Sequence, residues 1–251
     1  MKDRRIAWIT GAGSGIGAAT ARRLAKEGWV VAATSRRTER IENLCKEDPG
    51  FIKPYPADVS NAKDIEKLVN KIEKDIEPIS LVILNAGIGR HEALTEFSLN
   101  HFKQVIDINL MGVANCLAPI LKRYLERNNG HIAITASIAG YRGLPRALSY
   151  CSSKAALNNL AESLAIETLE TNIKVQVINP GYIKTPMTEG HTFPMPMLMD
   201  VDEAAEKLVQ GLKSNRFEII FPWPFCLAIK SLKLLPYGLY FKLISWLNKK
   251  H

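Results

Sequence analysis

The chain has 251 residues, of which 47% are hydrophobic and 23% are charged, and its formal net charge at pH 7 is +8. This apolar content is enough for one sizeable core, and single α/β domains commonly reach this length, so we expect one domain. The positive charge suits phosphorylated cofactors, nucleic acid, anionic lipid or an acidic carrier protein, and charge alone does not select among them.

The beginning of the chain and its cysteines exclude several classes. Lys2, Arg4 and Arg5 lead directly into a short apolar run and then glycines, which leaves no segment long enough for a signal peptide, so we expect a cytoplasmic location. The four cysteines are scattered without C-x-x-C spacing, which argues against a zinc site or a disulfide framework. We expect no metal, and cysteines that are reduced and mostly in the core.

Short β-branched runs alternate along the chain with longer amphipathic stretches. The predicted strands are Ile6–Thr10, Trp29–Thr34, Ile79–Leu84, His131–Ala136, Lys174–Asn179 and Phe217–Phe221. The predicted helices are Gly15–Glu27, Thr38–Cys45, Ala62–Asp75, Asn100–Glu126, Tyr150–Glu170 and Val201–Lys213. Such alternation indicates βαβ units, so the fold class we expect is α/β, with a doubly wound parallel sheet between two helical layers.

Two helices carry local signals. Asp200 and Glu203 form a capping pair at the start of the last predicted helix. Pro119 lies inside the long predicted helix 100–126 and is expected to kink or divide it, because proline removes a backbone donor and clashes with the preceding turn.

A glycine-rich loop follows the first predicted strand and opens the first predicted helix. It reads Thr10-Gly11-Ala12-Gly13-Ser14-Gly15-Ile16-Gly17. Glycines permit a tight turn and close backbone approach to a pyrophosphate, whose charge the helix N-terminus favours. Gly11, Ser14, Gly15, Ile16 and Gly17 are therefore candidate contacts of a dinucleotide, although a plain strand-to-helix turn would use similar residues.

The end of the second predicted strand indicates which dinucleotide is bound. Ser35, Arg36 and Arg37 stand where an NAD-selective site offers a carboxylate to the adenosine ribose. A guanidinium can instead bind a 2′-phosphate through charge-assisted hydrogen bonds, so we expect NADP(H) to be preferred over NAD(H), with Ser35 and Arg36 as contacts. The alternative is that the arginines are the solvated start of the next helix.

Further motifs follow in a fixed order: Asp58-Val59, Asn85-Ala86-Gly87, Asn109, Ser137, Tyr150-x-x-x-Lys154 and Pro180-Gly181. With the glycine loop, they make residues 5–210 resemble the short-chain dehydrogenase/reductase family. The resemblance implies a Rossmann-like fold and hydride transfer between a nicotinamide cofactor and a carbonyl or alcohol.

Tyr150 and Lys154 are four positions apart in a predicted helix, so their side chains emerge on one face. A nearby ammonium, and the nicotinium ring in the oxidised complex, favour phenolate and are expected to lower the pKa of Tyr150, which makes it a usable acid/base. Ser137 follows a predicted strand and could hydrogen-bond the reacting oxygen. Individually, these residues could be a packed ring, a surface charge and a turn serine; their joint placement favours catalysis.

The resemblance implies further roles. Lys154 would also hold the nicotinamide ribose, and Asn109 would belong to a water-mediated proton relay that reaches Lys154. Asp58 and Val59 would lie near adenine, and Ile183 with Thr185 near the carboxamide and phosphates. Pro180-Gly181 would form the turn that the nicotinamide pocket requires. Asn85, Ala86 and Gly87 would line the adenosine and the central sheet edge, with a structural role for Asn85 at least as well supported.

The stretch of about residues 186–200 stands where the family has a substrate loop, and it contains Met187, Met195, Met197 and Met199. Methionines adapt to irregular apolar shapes, so a pocket for a lipophilic carbonyl compound and ordinary loop packing are both open. His191 is assigned no role. Arg142 and Arg146 could bind an acidic substrate group or remain solvated.

The end of the chain departs from the family. We treat 1–221 as the catalytic domain and 222–251 as an apolar, basic C-terminal extension of the same domain. Lysines interrupt every apolar run, which keeps each too short to span a bilayer. Two amphipathic helices could form a lid, a dimer contact or a membrane-surface contact. We expect a homo-oligomer, a dimer in preference to the family's usual tetramer.

The leading hypothesis is therefore a cytoplasmic or peripherally membrane-attached NADPH-dependent reductase of lipophilic ketones or aldehydes. The alternatives are an enzyme similar to a 3-oxoacyl-carrier-protein reductase and a non-catalytic NADP-binding regulatory protein. Nucleic acid is not an expected partner, because only the charge suggests it.

Overall fold

A single parallel sheet organises the described residues, which are 5–89, 92–189 and 195–249 of this computed structural model. Its seven strands are ordered β3-β2-β1-β4-β5-β6-β7. The strands are β1 (Ile6–Thr10), β2 (Val30–Thr34), β3 (Ile52–Pro54), β4 (Leu81–Leu84), β5 (Gly130–Thr135), β6 (Ile173–Pro180) and β7 (Glu218–Phe221). The predicted doubly wound α/β fold is confirmed.

Helices connect the strands and cover both faces of the sheet. They are α1 (Gly15–Lys26), α2 (Thr38–Glu47), α3 (Ala62–Asp75), α4 (Leu99–Ile106), α5 (Gly112–Arg127), α6 (Leu148–Glu167), α7 (Val201–Leu212), α8 (Trp223–Ser231) and α9 (Tyr237–Lys249). The six predicted strands and the predicted helices are all present, with ends that differ by a few residues.

The alternation of side chains along each strand divides the core in two. In β1, Ile6 and Trp8 pack with α3, α5 and α6, whereas Ala7 and Ile9 pack with α1, α2 and α7. All four are fully buried, because successive side chains of a strand point to opposite faces and both faces are covered. The sheet is thus the middle of three layers.

The long predicted helix 100–126 is not divided where expected. α5 runs through Pro119, and the irregularity lies earlier, at a π-helical segment, Asp107–Met111, between α4 and α5. Buried residues on both sides of the proline, Leu117 and Ile120 among them, hold α5 against the sheet, which explains why one lost hydrogen bond does not break it. The π-helical segment carries Asn109.

The continuous helical segment Leu99–Arg127 is long and apolar enough to cross a membrane, with a mean hydropathy of 1.4 over 18 residues. Half of those residues are buried inside the protein. Its apolar face packs on the sheet, so it is accounted for as a core helix.

At the start of α7, Asp200 is the N-cap and accepts a hydrogen bond from the Asp202 N–H at 3.0 Å.

The chain continues beyond the sheet through a cis bond between Phe221 and Pro222 into α8, a 3-10 turn at Leu232–Leu234, and α9. α8 packs on β7 and on the 3-10 turn Ile138–Gly140, which follows β5. The C-terminal extension therefore leaves the sheet at the carboxyl end of its last strand, the same edge at which the other parallel strands end.

Candidate active site

A cleft of about 380 Å³ opens at the carboxyl edge of the sheet. It lies where β1 and β4 are neighbours, which is the point at which the strand order reverses direction. Parallel sheets bind ligands in the crevice outside such a switch point, because the connecting helices diverge there. The residues that line it come from the ends of β1, β2, β4, β5 and β6 and from α6.

The glycine turn between β1 and α1 forms one wall of the cleft. Gly11 and Gly15 have φ of +69° and +53°, a left-handed conformation that glycine adopts without strain. Ser14 is the N-cap of α1, but its side chain makes no capping hydrogen bond, and the first turn carries no acid. The N–H groups at this helix end are thus available to an anionic ligand.

Small residues keep the glycine turn close to its neighbours. A Cβ on Gly13 would lie 2.8 Å from Ser35 Oγ, and a Cβ on Gly17 would overlap the Gly11 carbonyl and the Asn85 amide. Gly17 therefore does not line the cleft; it lets α1 pack against the turn, which is a different role from the direct contact that the sequence predicts.

Three arginines form a basic rim where β2 ends: Arg36, Arg37 and Arg40 line the cleft. Arg36 Nη1 lies 3.8 Å from Asp58 Oδ2 and its side chain is half exposed, so it can move toward a ligand. Asp58 Oδ1 accepts hydrogen bonds from the N–H and hydroxyl of Ser60. Asp58 thus shapes the turn and contacts Arg36 without lining the cleft.

Asn85 fastens the end of β4 to the end of β1. Its side-chain amide donates to the Thr10 carbonyl at 3.2 Å, and its backbone N–H donates to Thr10 Oγ1 at 3.0 Å. These bonds support the structural alternative for Asn85, although it also lines the cleft together with Ala86 and Gly87.

Tyr150 and Lys154 line the inner end of the cleft, and Ser137 lies beside them. Tyr150 and Lys154 lie one turn apart on α6, and a side-chain hydrogen bond joins Tyr150 to Ser137. Lys154 Nζ lies 5.7 Å from the centre of the Tyr150 ring and donates to the Thr135 carbonyl at 2.7 Å. The spacing that the sequence shows thus becomes a set of three neighbouring polar groups.

Burial sets the proton affinities of this pair. Desolvation raises the pKa of Tyr150 to about 12, although the Ser137 hydrogen bond opposes the shift, and it lowers the pKa of Lys154 to about 8. The expected lowering of the Tyr150 pKa by Lys154 is therefore wrong. The largest effect on this pKa is burial, which removes the phenol from water and disfavours its anion, and Lys154 is not among the groups that shift it.

Asn109 supports the same end of the cleft from the π-helical segment. It is fully buried; its Oδ1 accepts from the Ile88 N–H at 2.8 Å, and its amide donates to the Ile88 carbonyl at 2.9 Å and to Ser153 Oγ at 3.0 Å. A π-helical turn often marks a functional position, because it re-aims one side chain within a helix.

Gly87 separates Asn109 from Lys154. A Cβ on Gly87 would lie 3.3 Å from Asn109 Oδ1 and 3.6 Å from Lys154 Nζ. Because glycine has no side chain, a polar space remains between Asn109 Oδ1, an acceptor, and the Lys154 ammonium, a donor. A water molecule that bridges two groups needs such polar partners on both sides.

Comparisons with known proteins decide the family. Residues 5–193 match the short chain dehydrogenase family. An uncharacterized oxidoreductase of Myxococcus xanthus is 32% identical over 239 residues, which cover 94% of each chain. A 3-oxoacyl-[acyl-carrier-protein] reductase of Thermotoga maritima is 35% identical over 190 residues, 74% of this chain and 77% of its own. The chain belongs to the short-chain dehydrogenase/reductase family.

Solved structures of the family agree with the fold. A short-chain dehydrogenase of Streptomyces avermitilis superimposes with a TM-score of 0.85 over 100% of this chain and 98% of its own, at 21% identity. An actinorhodin polyketide ketoreductase variant with NADPH, 27% identical, gives a TM-score of 0.80 over 88% of this chain and 97% of its own. The solved neighbours include complexes with NADPH and with NAD. The chain is therefore an NAD(P)-dependent oxidoreductase.

Within this short-chain dehydrogenase/reductase, most predicted cofactor residues face the cleft and a few do not. The glycine-turn residues Gly11, Ser14, Gly15 and Ile16, and also Ser35, Arg36, Val59, Asn85, Ala86, Gly87, Tyr150, Lys154, Pro180 and Thr185, line it. Ile183 does not: its side chain is buried in the core with Met199, to which it forms a parallel bridge. Gly181 lies against Pro222 and Phe225, so the turn after β6 contacts the C-terminal extension.

Several residues that shape the site belong to none of the predicted motifs. Gly89 allows the Tyr150 ring to pack on the backbone, because a Cβ there would lie 2.6 Å from Tyr150 Cδ2. Ser153 donates to the Tyr150 carbonyl at 2.8 Å and accepts from Asn109. Arg40 lies in the first turn of α2 and lines the cleft. The Thr135 carbonyl has no signal in the sequence, because every residue has one.

Only part of the predicted substrate region forms an apolar surface at the cleft. Met187 lines the cleft, and Leu144 packs beside Tyr150. Met199 belongs to the core and Met197 is 52% exposed, so the methionine run does not form one surface. Residues 190–194 of the predicted substrate loop, including His191, lie outside the described residues. Across the described ranges, no group of three or more His, Cys, Asp and Glu side chains could hold a metal, and all four cysteines are buried and free.

The space beside Gly87 generates a prediction. Gly87→Ala places a methyl group between Asn109 and Lys154, so we expect kcat to fall roughly tenfold or more, because the site tolerates little displacement of polar groups. Steady-state kinetics with a carbonyl substrate measure the effect. The matched control is Gly50→Ala, which lies outside the cleft and whose added Cβ would meet only Asp48 Oδ1, at 3.9 Å. Equal activity of both variants would contradict a role for this space.

Proposed function

We propose that the protein is an NADPH-dependent reductase of apolar ketones or aldehydes, reversible in the direction of alcohol oxidation. The observation that carries the proposal is that Tyr150 and Lys154 line one cleft with a basic rim, while Ser137 is hydrogen-bonded to Tyr150. Catalysis needs a proton donor and a hydrogen-bond donor on one reacting oxygen, and this grouping supplies both.

The cleft fits a nicotinamide dinucleotide. The uncapped start of α1 and the two left-handed glycines suit a pyrophosphate, and the arginine rim suits a further phosphate. Lys154 at the inner end suits the nicotinamide ribose. When bound, the cofactor supplies the hydride that the protein side chains cannot.

Tyr150 is proposed as the proton donor to the carbonyl oxygen. Its phenol keeps its proton at neutral pH, because burial raises its pKa to about 12, so it is in the donating form for reduction. Ser137 shares a hydrogen bond with Tyr150 and would steady the negative charge that develops on the same oxygen. The nearby Lys154 ammonium favours the phenolate that remains after transfer.

The proton lost by Tyr150 is proposed to be replaced through the polar space beside Gly87. Lys154 Nζ and Asn109 Oδ1 both face this space, and the Asn109 amide is held by Ile88 and Ser153. Asn109 is thus a positioning residue that fixes one side of the relay. Rigid support matters because proton transfer needs short, aligned contacts.

The substrate is proposed to be lipophilic. Leu144 packs against the same small apolar cluster as Tyr150, and Met187 lines the cleft, which supports an apolar substrate side. Arg142 does not offer its charge to a substrate, because its guanidinium binds the C-terminal extension. Apolar walls with few polar groups are typical of pockets for uncharged ligands.

A carrier-bound acyl substrate is the second candidate. The 3-oxoacyl-[acyl-carrier-protein] reductase of Thermotoga maritima is similar over 74% of the chain, and a net charge of +8 suits an acidic carrier. The free lipophilic ketone is the first candidate because the exposed, apolar C-terminal extension favours a lipophilic substrate. A panel of carbonyl substrates, free and carrier-bound, assayed by NADPH oxidation separates the two.

The first prediction concerns the proposed proton donor. Tyr150→Phe should lower kcat by roughly 10²- to 10⁴-fold, the usual contribution of a positioned acid, while the Kd for NADPH changes little. NADPH fluorescence titration and turnover measure the two effects. The matched control is Tyr55→Phe, whose hydroxyl contacts Asp75 far from the cleft. Unchanged turnover in Tyr150→Phe would contradict the assignment of Tyr150 as the proton donor.

The second prediction concerns pH. Lys154 holds its charge below its pKa of about 8, and Tyr150 holds its proton below its pKa of about 12. Reduction uses the protonated phenol and the ammonium, so kcat/KM for reduction should fall as the pH rises through about 8. Oxidation uses the phenolate and should accelerate with pH. A rate of reduction that rises through this range would contradict the assignment.

The third prediction concerns the cofactor. Arg36→Glu should weaken NADPH binding roughly 10- to 100-fold, the loss expected when a charge-assisted hydrogen bond is removed, and should affect NADH far less. The control is Arg216→Glu, an equal charge change at an exposed position away from the cleft. Equal weakening of both cofactors by Arg36→Glu would refute a 2′-phosphate role.

A further inference from the structure

The C-terminal extension, residues 222–251, exposes an unusual number of large apolar side chains. Phe241 is 61% exposed and Leu239 58%, although both lie in regular helix. Folded monomers rarely leave so many apolar groups in one short segment in water, and such surfaces mark interaction sites. The exposed large apolar residues of the extension are Trp223, Leu227, Leu234, Tyr237, Leu239, Phe241, Trp246 and Leu247.

The charges of the same segment have one sign. Residues 222–251 contain five lysines, at 230, 233, 242, 249 and 250, and no Asp or Glu. Leu239, Lys242 and Trp246 follow one another at spacings of three and four in α9, so they share one exposed face. Lysine beside Trp and Leu on one helix face is the composition of helices that lie in a bilayer interface.

The extension is held firmly to the domain by the opposite side of α9. Tyr240 is buried and its hydroxyl donates to the Gly143 carbonyl at 2.6 Å. The Arg142 guanidinium lies 4.3 Å from the Tyr240 ring centre and 4.7 Å from that of Tyr237, and it donates to the carbonyls of Leu232, Lys233 and Leu235. The apolar outer face is therefore presented by a fixed support rather than by a loose tail.

We propose that the C-terminal extension binds the surface of an anionic lipid bilayer. The exposed apolar side chains would enter the interface, and Lys233 and Lys242 would contact acidic headgroups, each lysine adding to the attraction. Lys230 is not available for this, because it is paired with Glu218. The extension does not cross the bilayer, since its helices are too short.

A second copy of the chain is the competing occupant, and charge argues against it. A two-fold interface places the same surface opposite itself, so it would bring the lysines of two extensions together with no acid from either extension between them. Like charges across an interface are unfavourable, whereas an anionic bilayer neutralises all of them at once. The proposal does not rest on the chemistry at Tyr150.

Vesicle sedimentation with the full-length protein tests the proposal. The protein should pellet with phosphatidylcholine vesicles that contain phosphatidylglycerol and stay in solution with phosphatidylcholine alone, and high salt should release it, since salt screens surface charge. Leu239→Ser/Trp246→Ser should weaken binding roughly tenfold or more, because it removes two apolar side chains of one exposed face from the interface. Lys233→Glu/Lys242→Glu should abolish the preference for anionic vesicles.

The matched control is Phe51→Ser/Leu169→Ser, which likewise replaces one aromatic residue and one leucine by serine, at residues that are 40% and 74% exposed elsewhere in the domain. This variant should sediment like the unaltered protein, and unchanged thermal unfolding should show that all variants fold. Equal loss of binding in the control, or no binding to anionic vesicles at all, would overturn the proposal. So would a stable dimer that Leu239→Ser/Trp246→Ser converts to monomer, which would make the surface a contact between copies.

Discussion

The burial of one ammonium group is the constraint on which the candidate site depends. Lys154 lies inside the protein with its Nζ on the Thr135 carbonyl, and desolvation lowers its pKa to about 8. A buried cation is costly unless nearby dipoles hold it, so its surroundings must be rigid. The carboxyl end of β5 provides the carbonyl, α6 provides the lysine, and Gly87 leaves room beside it. The same rigid packing of β5, α6 and the turn at Gly87 therefore serves both the fold and the site.

Much of the fold could be predicted from the sequence, because buried parallel strands and amphipathic helices differ in period and length. The three-residue strand β3 could not: Ile52, Lys53 and Pro54 show no alternation, and the strand exists only because Val31 and Ala33 of β2 offer pairing partners. The π-helical segment was also missed, since it is one turn of altered bonding within an otherwise helical pattern.

The candidate site divides in the same way. Residues in contiguous motifs, such as the glycine turn and the Tyr150–Lys154 pair, could be identified from the sequence. Their spacing along the chain determines their relative positions in the folded protein. The pKa of Tyr150 could not, since its direction depends on burial by residues distant in sequence. Ile183 was predicted to contact the cofactor because of its position in the chain next to Pro180 and Gly181. Its side chain instead packs in the core, and this packing is not visible in the sequence.

The C-terminal extension and the site are joined through the segment between Ser137 and Tyr150. Tyr141 donates to Glu218 of β7, which is paired with Lys230 of the extension. Arg142 donates to the 3-10 turn of the extension, and Gly143 accepts from Tyr240. Because this segment also ends at Ser137 and at Tyr150, the extension helps to fix the separation of those two groups. Removal of residues 222–251 would expose Arg142 and Tyr141 and disturb the site. The outer face and the inner face of the extension therefore have separable roles, and substitutions on the exposed face distinguish them whereas truncation does not.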